Sequence, residues 1–428
     1  MSAGDRSPSG GSADELVAAG EDALARGQAG RAFELLGQAA AQPVAGPLLH
    51  RLAAAYAGAA RHVGRHTEVL AWIEARIAQV APESQAPLLV AQLGVWRMLD
   101  TARVLELLDA AVAAATAADD IEGVTRALAH GAYAAYRRGE ARLARDLAER
   151  AEKIVAPTRA VQFHSTRTRM FAATAAGDLE AALELSMKAR AMARELGARV
   201  DIANESNNLA ETYLELGCPA EARACAEAAQ QLAAETGHGT VLAMATVYGA
   251  IAMGESGQID DALAALDRLT IVEVHRFARI DVATAHAFWL LERGAAGDAR
   301  QAREVAEAVL EIAHAAGAEG SLTKLYASVA RAHGREGHDE LARTALERAR
   351  KCADRGDATA HSFLALAAAE VLPAHEPSRA VVLSTARARI LRRATRREDP
   401  HAFCVHVRVN RRLLELSGGV PPDLPRAS

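Results

Sequence analysis

The sequence predicts an all-α protein built as a solenoid of about ten antiparallel helical hairpins. Composition gives the class. Half of the 428 residues are hydrophobic but only 4% are aromatic, and Ala dominates the apolar set. Ala is the strongest helix former and lets helices approach closely, and few segments alternate as strands do. Length gives the architecture, since a chain this long cannot wrap one compact core. A recurring signature gives the repeat: small residue, Gly, Ala and Ala at fixed offsets, with the turn glycines 38, 40, 40, 37 and 43 residues apart from Gly139 to Gly337.

The elements follow in order. The opening "MSAGDRSPSGGSADE" has no basic start followed by an apolar run, so residues 1–12 read as a disordered lead rather than a signal peptide. The repeats are expected over residues 13–375. Gly20, Gly27, Ala32 and Ala39 form the first copy. "LLHRLAAAYAGAARHVGRHTEVLAWIEARI" and "LLVAQLGVWRMLDTARVLELLDAAVAAA" are degenerate hairpins that turn near Gly64 and near Leu99–Asp100. Clear copies resume with Ala132, Gly139, Ala144, Ala151, and with Met170, Gly177, Ala182, Ala189. Then come Ala210, Gly217, Ala222, Ala229, and Ala250, Gly257, Ala262, Leu269. Ala287, Gly294, Ala299, Ala306 and Ala330, Gly337, Ala342, Ala349 complete seven. A tenth pair spans Asp357 to Thr395 and breaks at "LPAHEPS", where Pro373 and Pro377 prevent a continuous helix. Residues 376–417 supply the last helices and a basic cap, and 418–428 a flexible tail. In each copy the Gly ends the first helix in a left-handed conformation, and the Ala sites are where two helices cross. A larger side chain at a crossing costs ~1–3 kcal/mol by overpacking.

The copy "NLAETYLELGCPAEARACAEAA" resembles the tetratricopeptide repeat family, with Leu209, Ala210, Tyr213, Gly217, Ala222 and Ala229 at the family's preferred positions. The resemblance covers about residues 13 to 395 and implies a right-handed superhelix. Units of 37–40 residues exceed the family's usual length of about 34, and most copies lack the frequent helix aromatics. Longer units of this kind look like the repeat regions of large bacterial signalling regulators. "ARARILRRATRREDPHAFCVHVRVNRRLLELSGG" resembles the segment that closes such arrays, through Asp399, Pro400, Phe403, Asn410 and Leu413–Leu416. No phosphate loop, kinase signature or helix-turn-helix unit accompanies it.

In that family the first helix of each pair lines the concave surface. The repeat register places Arg126, Tyr133, Tyr136 and Arg137 there in one copy, His164, Arg167 and Phe171 in the next, then Asn204, Asn207 and Glu211. Phe288, with Asp281, Thr284 and Glu292, then Lys324 and Arg331, with Arg335, extend the set. Arg grips carboxylates with paired hydrogen bonds, Asn pairs with both groups of an extended backbone, and the rings add apolar area. Together they suit a peptide or tail with acidic groups. The opposing reading is a solvated helix face with the rings packing between hairpins. Asn207 is a costly residue inside a helix unless it bonds something.

Other chemistry is sparse. His62 and His66 are four apart, but Gly64 lies between them and no HExxH exists; His401, Cys404 and His406 match no zinc spacing. Asp119–Asp120 and Asp260–Asp261 sit where helix caps belong. No catalytic constellation, metal site or cofactor motif stands out, so the expectation is a non-enzyme. Four scattered Cys fit free thiols and a reducing compartment. A net charge of −5 disfavours a general polyanion binder. No apolar run approaches the ~20 residues of a membrane span. Nine Arg between Arg387 and Arg412 read best as a polar terminal cap, with nucleic acid or an acidic partner the alternative. The expected role is a cytoplasmic bacterial scaffold or regulator that docks a partner protein or peptide in its groove. The alternative is a sensor whose superhelix closes on a small signalling peptide, as in quorum-sensing receptors of similar architecture.

Overall fold

The computed structural model describes residues 11–155, 157–269, 276–353 and 358–425. Most of the expected lead, Asp357 and the last three residues of the tail lie outside the described residues. Ten hairpins succeed one another among them. The first five are α1 (Ala13–Ala25) with α2 (Ala29–Ala40), α3 (Gly46–Val63) with α4 (His66–Ile77), α5 (Ala86–Leu99) with α6 (Thr101–Ala117), α7 (Ile121–Arg137) with α8 (Ala141–Glu152), and α9 (Arg159–Ala176) with α10 (Leu179–Glu195). Next are α11 (Arg199–Leu216) with α12 (Pro219–Glu235), α13 (Gly239–Glu255) with α14 (Ile259–Asp267), and α15 (Arg276–Arg293) with α16 (Asp298–Glu307), continued by α17 (Leu310–Ala315). The array ends with α18 (Glu319–Arg335) and α19 (Asp339–Ala353), α20 (Ala358–Val371) and α21 (Pro377–Ala394), and two short helices, α22 (Pro400–Val405) and α23 (Arg408–Leu416). No strand occurs among the described residues.

Local chemistry sets the ends. Ser12 and Glu15 form a reciprocal capping box on α1. The seven signature glycines all turn with φ between 68° and 89°. The third hairpin turns without glycine: Asp100 is extended, and its carboxylate accepts from the Ala102 N–H at 2.8 Å to cap α6. Asp120 likewise caps α7, whereas Gln258 rather than Asp260 or Asp261 precedes α14. The two aspartates fall in the first turn, where they still favour the helix dipole.

The crossing sites are fully buried at Ala32, Ala39, Ala144, Ala151, Ala222 and Ala229. In the first hairpin Gly20 holds the leading site because a methyl there would stand 2.6 Å from Leu36 Cγ. One copy is displaced from its expected register. After Gly294 a second left-handed residue, Gly297, delays α16, so Ala302 is fully buried at the crossing and Ala299 is left half-buried.

The apolar core is continuous at both ends and thin in the middle. One cluster unites residues from Val247 to Leu414 around Trp289 and Phe403, and another joins Ala13 to Val95. Between them lie a cluster from Val90 to Phe171 and, in hairpins five and six, small sets such as Phe163, Ala189, Met192 and Ala193.

The superhelix closes on itself. Helix α3 meets α13, and α5 meets α15. His62 Nδ1 lies 3.3 Å from the Gly237 carbonyl, and its ring packs on His238 at 4.2 Å between centroids. The basic terminal segment is a clasp as well as a cap. Arg397 bonds Glu180 at 2.5 Å and the Gly177 carbonyl at 3.2 Å, and His406 Nδ1 lies 3.0 Å from the Gly217 carbonyl. Asp399 caps α22, Phe403 is buried, and the Asn410 side chain donates to the Phe403 carbonyl at 3.2 Å.

Candidate binding bore

The inner helices pack with Ala on two faces and turn a third, polar and aromatic, toward the axis. That third face lines three adjoining, partly open chambers of about 470, 100 and 220 Å³. Arg61, Arg97, Arg167 and Asn204 are shared by the first two, and Tyr136, Arg137, Glu211, Tyr248 and Asp281 by the last two. The chambers therefore follow one another along a single interior bore, divided by those shared side chains.

The amino-terminal chamber holds Arg126, His164, Arg167 and Asn204 of the expected set. Arg126 pairs with Glu122, and its Nε lies 3.5 Å from His164 Nε2. Arg167, 8% exposed, pairs with the fully buried Glu205 at 2.9 Å. Asn204 donates to its own helix at the Val200 carbonyl, 3.0 Å away. Burial, then the nearby arginines, hold His130 and His164 well below the ordinary imidazole range, so both are neutral.

The middle chamber takes Tyr133, Tyr136, Arg137, Phe171, Asn207 and Glu211. Tyr133 and Phe171 meet edge to face at 5.4 Å. Two links span the bore: Tyr136 donates to Glu211 at 2.8 Å, and Arg137 pairs with Asp281 at 3.3 Å. Asn207 is 9% exposed and its Oδ1 has no hydrogen-bond partner, whereas Asn208 donates to Glu205 at 3.0 Å.

The carboxy-terminal chamber contains Phe288 and Lys324, with Tyr248, Trp289, Phe363 and Phe403 completing an aromatic wall. Two of its carboxyls are hard to ionise. Burial pushes Glu211 up to about 7, reinforced by Glu215, and Glu255 up to about 8, against the hydrogen bond from the Arg408 N–H at 2.6 Å. Arg331 lines none of the three chambers. It is 2% exposed behind Phe288, bonded to Glu292 at 2.8 Å and Glu370 at 2.9 Å. The repeat register predicts the inner face for it; instead the side chain is drawn onto two carboxylates.

Several lining residues are absent from the predicted groove set: Arg61, Arg97, His130, Tyr248, Glu255, Phe363 and Phe403. A signal for two of them exists. Arg61 stands three residues before Gly64 and Arg97 three before Asp100, the offset that Tyr136 holds before Gly139. His333, Glu336 and His338 also cluster at the ninth turn, with each Nδ1 3.8 Å from Glu336 Oε2, but Arg303 Nε already lies 3.2 Å from that oxygen. No helix among the described residues is long and apolar enough to cross a membrane.

No family model and no curated protein matches the chain. Solved structures with a similar arrangement of helices include a Rap protein complexed with competence and sporulation factor, at 15% identity and a TM-score of 0.48, covering 80% of this chain and 99% of that one. The apo quorum sensor NprR from B. thuringiensis gives 12% identity and a TM-score of 0.48, covering 77% and 97%. Aspartyl phosphate phosphatase F from Bacillus subtilis gives 12% identity and a TM-score of 0.44, covering 83% and 97%.

Proposed function

We propose that the protein is a non-catalytic scaffold or regulator that docks a partner protein or peptide in the bore of its superhelix, working in the bacterial cytoplasm. The observation that carries this reading is the bore itself: a partly open interior whose walls pair amides and arginines with an aromatic lining, where packing alone would need only small apolar side chains. An extended segment, narrower than a folded domain, is the partner such an interior suits. The free cysteines, two of them buried, accord with a reducing compartment.

The test is to plug the bore without changing the outer surface. Ser321→Trp fills the carboxy-terminal chamber, where Ser321 is half-buried. Affinity capture from the native host with wild type and with this variant, at matched helical circular dichroism, should lose the partner in the variant. A partner retained equally by both would place docking on the outer face and end this reading.

A second reading, a sensor whose shape responds to a peptide, is favoured by the thin core of hairpins five and six between two well-packed ends. It requires the radius of gyration to change when the peptide binds; identical scattering with and without it excludes the sensor.

A further inference from the structure

We propose that the amino-terminal chamber is a receptor for a phosphoryl-class dianion, free or carried on a small molecule, held by Arg61 and Arg97. A guanidinium withdrawn from water needs an anion beside it. Arg126 and Arg167 have theirs in Glu122 and Glu205. Arg61 and Arg97 face the same chamber, and among the described residues no carboxylate reaches either at ion-pair distance. The Nε of each is buried without a hydrogen-bond partner, and Arg97 otherwise rests on the Tyr133 ring at 4.7 Å. The carboxylates nearby are engaged or stand off: Asp120 caps α7 through the Gly123 N–H at 2.8 Å, Glu122 holds Arg126, and Asp201, 4.0 Å from Arg167, acts on Arg61 and Arg97 only through space.

Two further groups await a partner. The Nδ1 atoms of His130 and His164 are buried and unbonded, and His130 is 9% exposed. Two unpaired forked cations and two imidazoles present more donors than the two oxygens of one carboxylate can satisfy. A phosphoryl group, with three terminal oxygens and close to two negative charges, satisfies both guanidiniums and accepts from an imidazole N–H. A chamber of about 470 Å³ admits a small molecule. His50, exposed in its wall, marks the side open to solvent.

This inference concerns one end of the bore and does not depend on partner docking. Its test uses no peptide, so its failure leaves the docking reading standing. Titration calorimetry on the full chain would use inorganic phosphate, a sugar phosphate and a nucleoside monophosphate, with acetate as the carboxylate control. Arg61→Gln/Arg97→Gln removes the two unpaired cations without breaking an ion pair, so the helical signal should persist. The expected result is binding of at least one phosphate probe, weakened about tenfold or more in the double variant, with acetate much weaker. Phosphate binding alone identifies the free ion as ligand, and ester binding alone identifies a phosphorylated small molecule; both support the proposal. Should the glutamine variant lose its helical signal, Arg61→Lys/Arg97→Lys keeps the charge, loses the fork and should show the same weakening. No binding by any phosphate probe, equal binding by the variants, or acetate binding as tightly as phosphate overturns it.

Discussion

The ring closes where two glycines meet back to back, and that contact can be broken by one methyl group. Gly27 turns the first hairpin at φ 73°, and a Cβ there would stand 2.4 Å from the Glu235 carbonyl oxygen and 2.9 Å from Thr236 C. Across the junction a Cβ on Gly237 would stand 2.6 Å from the Gly27 carbonyl oxygen. Gly27→Ala therefore carries two costs. The left-handed conformation costs an L-residue ~1–2 kcal/mol. The collision adds ~1–3 kcal/mol, because the atoms met are backbone and cannot rotate away. Gly337→Ala is the control: its φ is 78° and nothing lies within 4 Å, so only the first cost applies. The first hairpin can relieve the collision by swinging off the α12–α13 turn, which opens the ring. Urea unfolding, small-angle scattering and amide exchange would be compared for the two variants. Gly27→Ala should be the less stable, or be matched in stability but larger in radius of gyration, with faster exchange at the Gly237–Gly239 amides. Equal behaviour of the two variants in all three measurements would refute closure at this contact.

Three other expectations are as specific. Glu255 has a carboxyl raised from 4.5 to about 8 by burial, so its contribution to stability is complete below pH 4.5 and is lost as pH rises through about 8. Glu255→Gln should flatten the fall in urea midpoint across that window, and an unchanged pH profile would count against the buried carboxyl. Arg331→Met leaves Glu292 with Arg408 alone and Glu370 with Arg335 alone and should cost ~1–3 kcal/mol, part of it recovered when both carboxylates become Gln in the same chain; absence of recovery would mean the loss is packing. Ala302→Leu should cost ~1–3 kcal/mol by overpacking while Ala299→Leu stays near neutral, the reverse of what the repeat spacing alone implies, as thermal unfolding of both would show.

The hairpins were legible because their determinants are local. A left-handed Gly and an Ala at a crossing act within a few residues, so Gly217, Ala222 and Ala229 carry their structural meaning in the string itself. The displaced copy escaped because Gly297 added a second turn residue that the spacing could not distinguish from helix. The inner face was legible as a register: Tyr136, Arg167 and Glu211 do share one interior. Its closure was not. Arg137 meets Asp281 across 144 residues, a meeting fixed by small rotations summed over four hairpins, and no window of sequence contains that sum. Arg61 and Arg97 are hidden for a simpler reason. Their hairpins lack the full signature that sets the register, although their distance from the turns matches that of Tyr136.

The terminal clasp has a consequence for how the chain reaches its native state. A repeat array can fold from one end, each hairpin settling on the last, because every contact is close in sequence. Arg397 instead finds Glu180 and the Gly177 carbonyl across 217 and 220 residues. During synthesis the first nine hairpins leave the ribosome before their clasp exists, and the ring they close is held only by contacts such as Gly27 on Gly237 and α5 on α15. The clasp over hairpins five and six waits for the last helices to emerge. The final event is thus a long-range locking of an assembled array, and whatever is to occupy the interior has easiest entry before it.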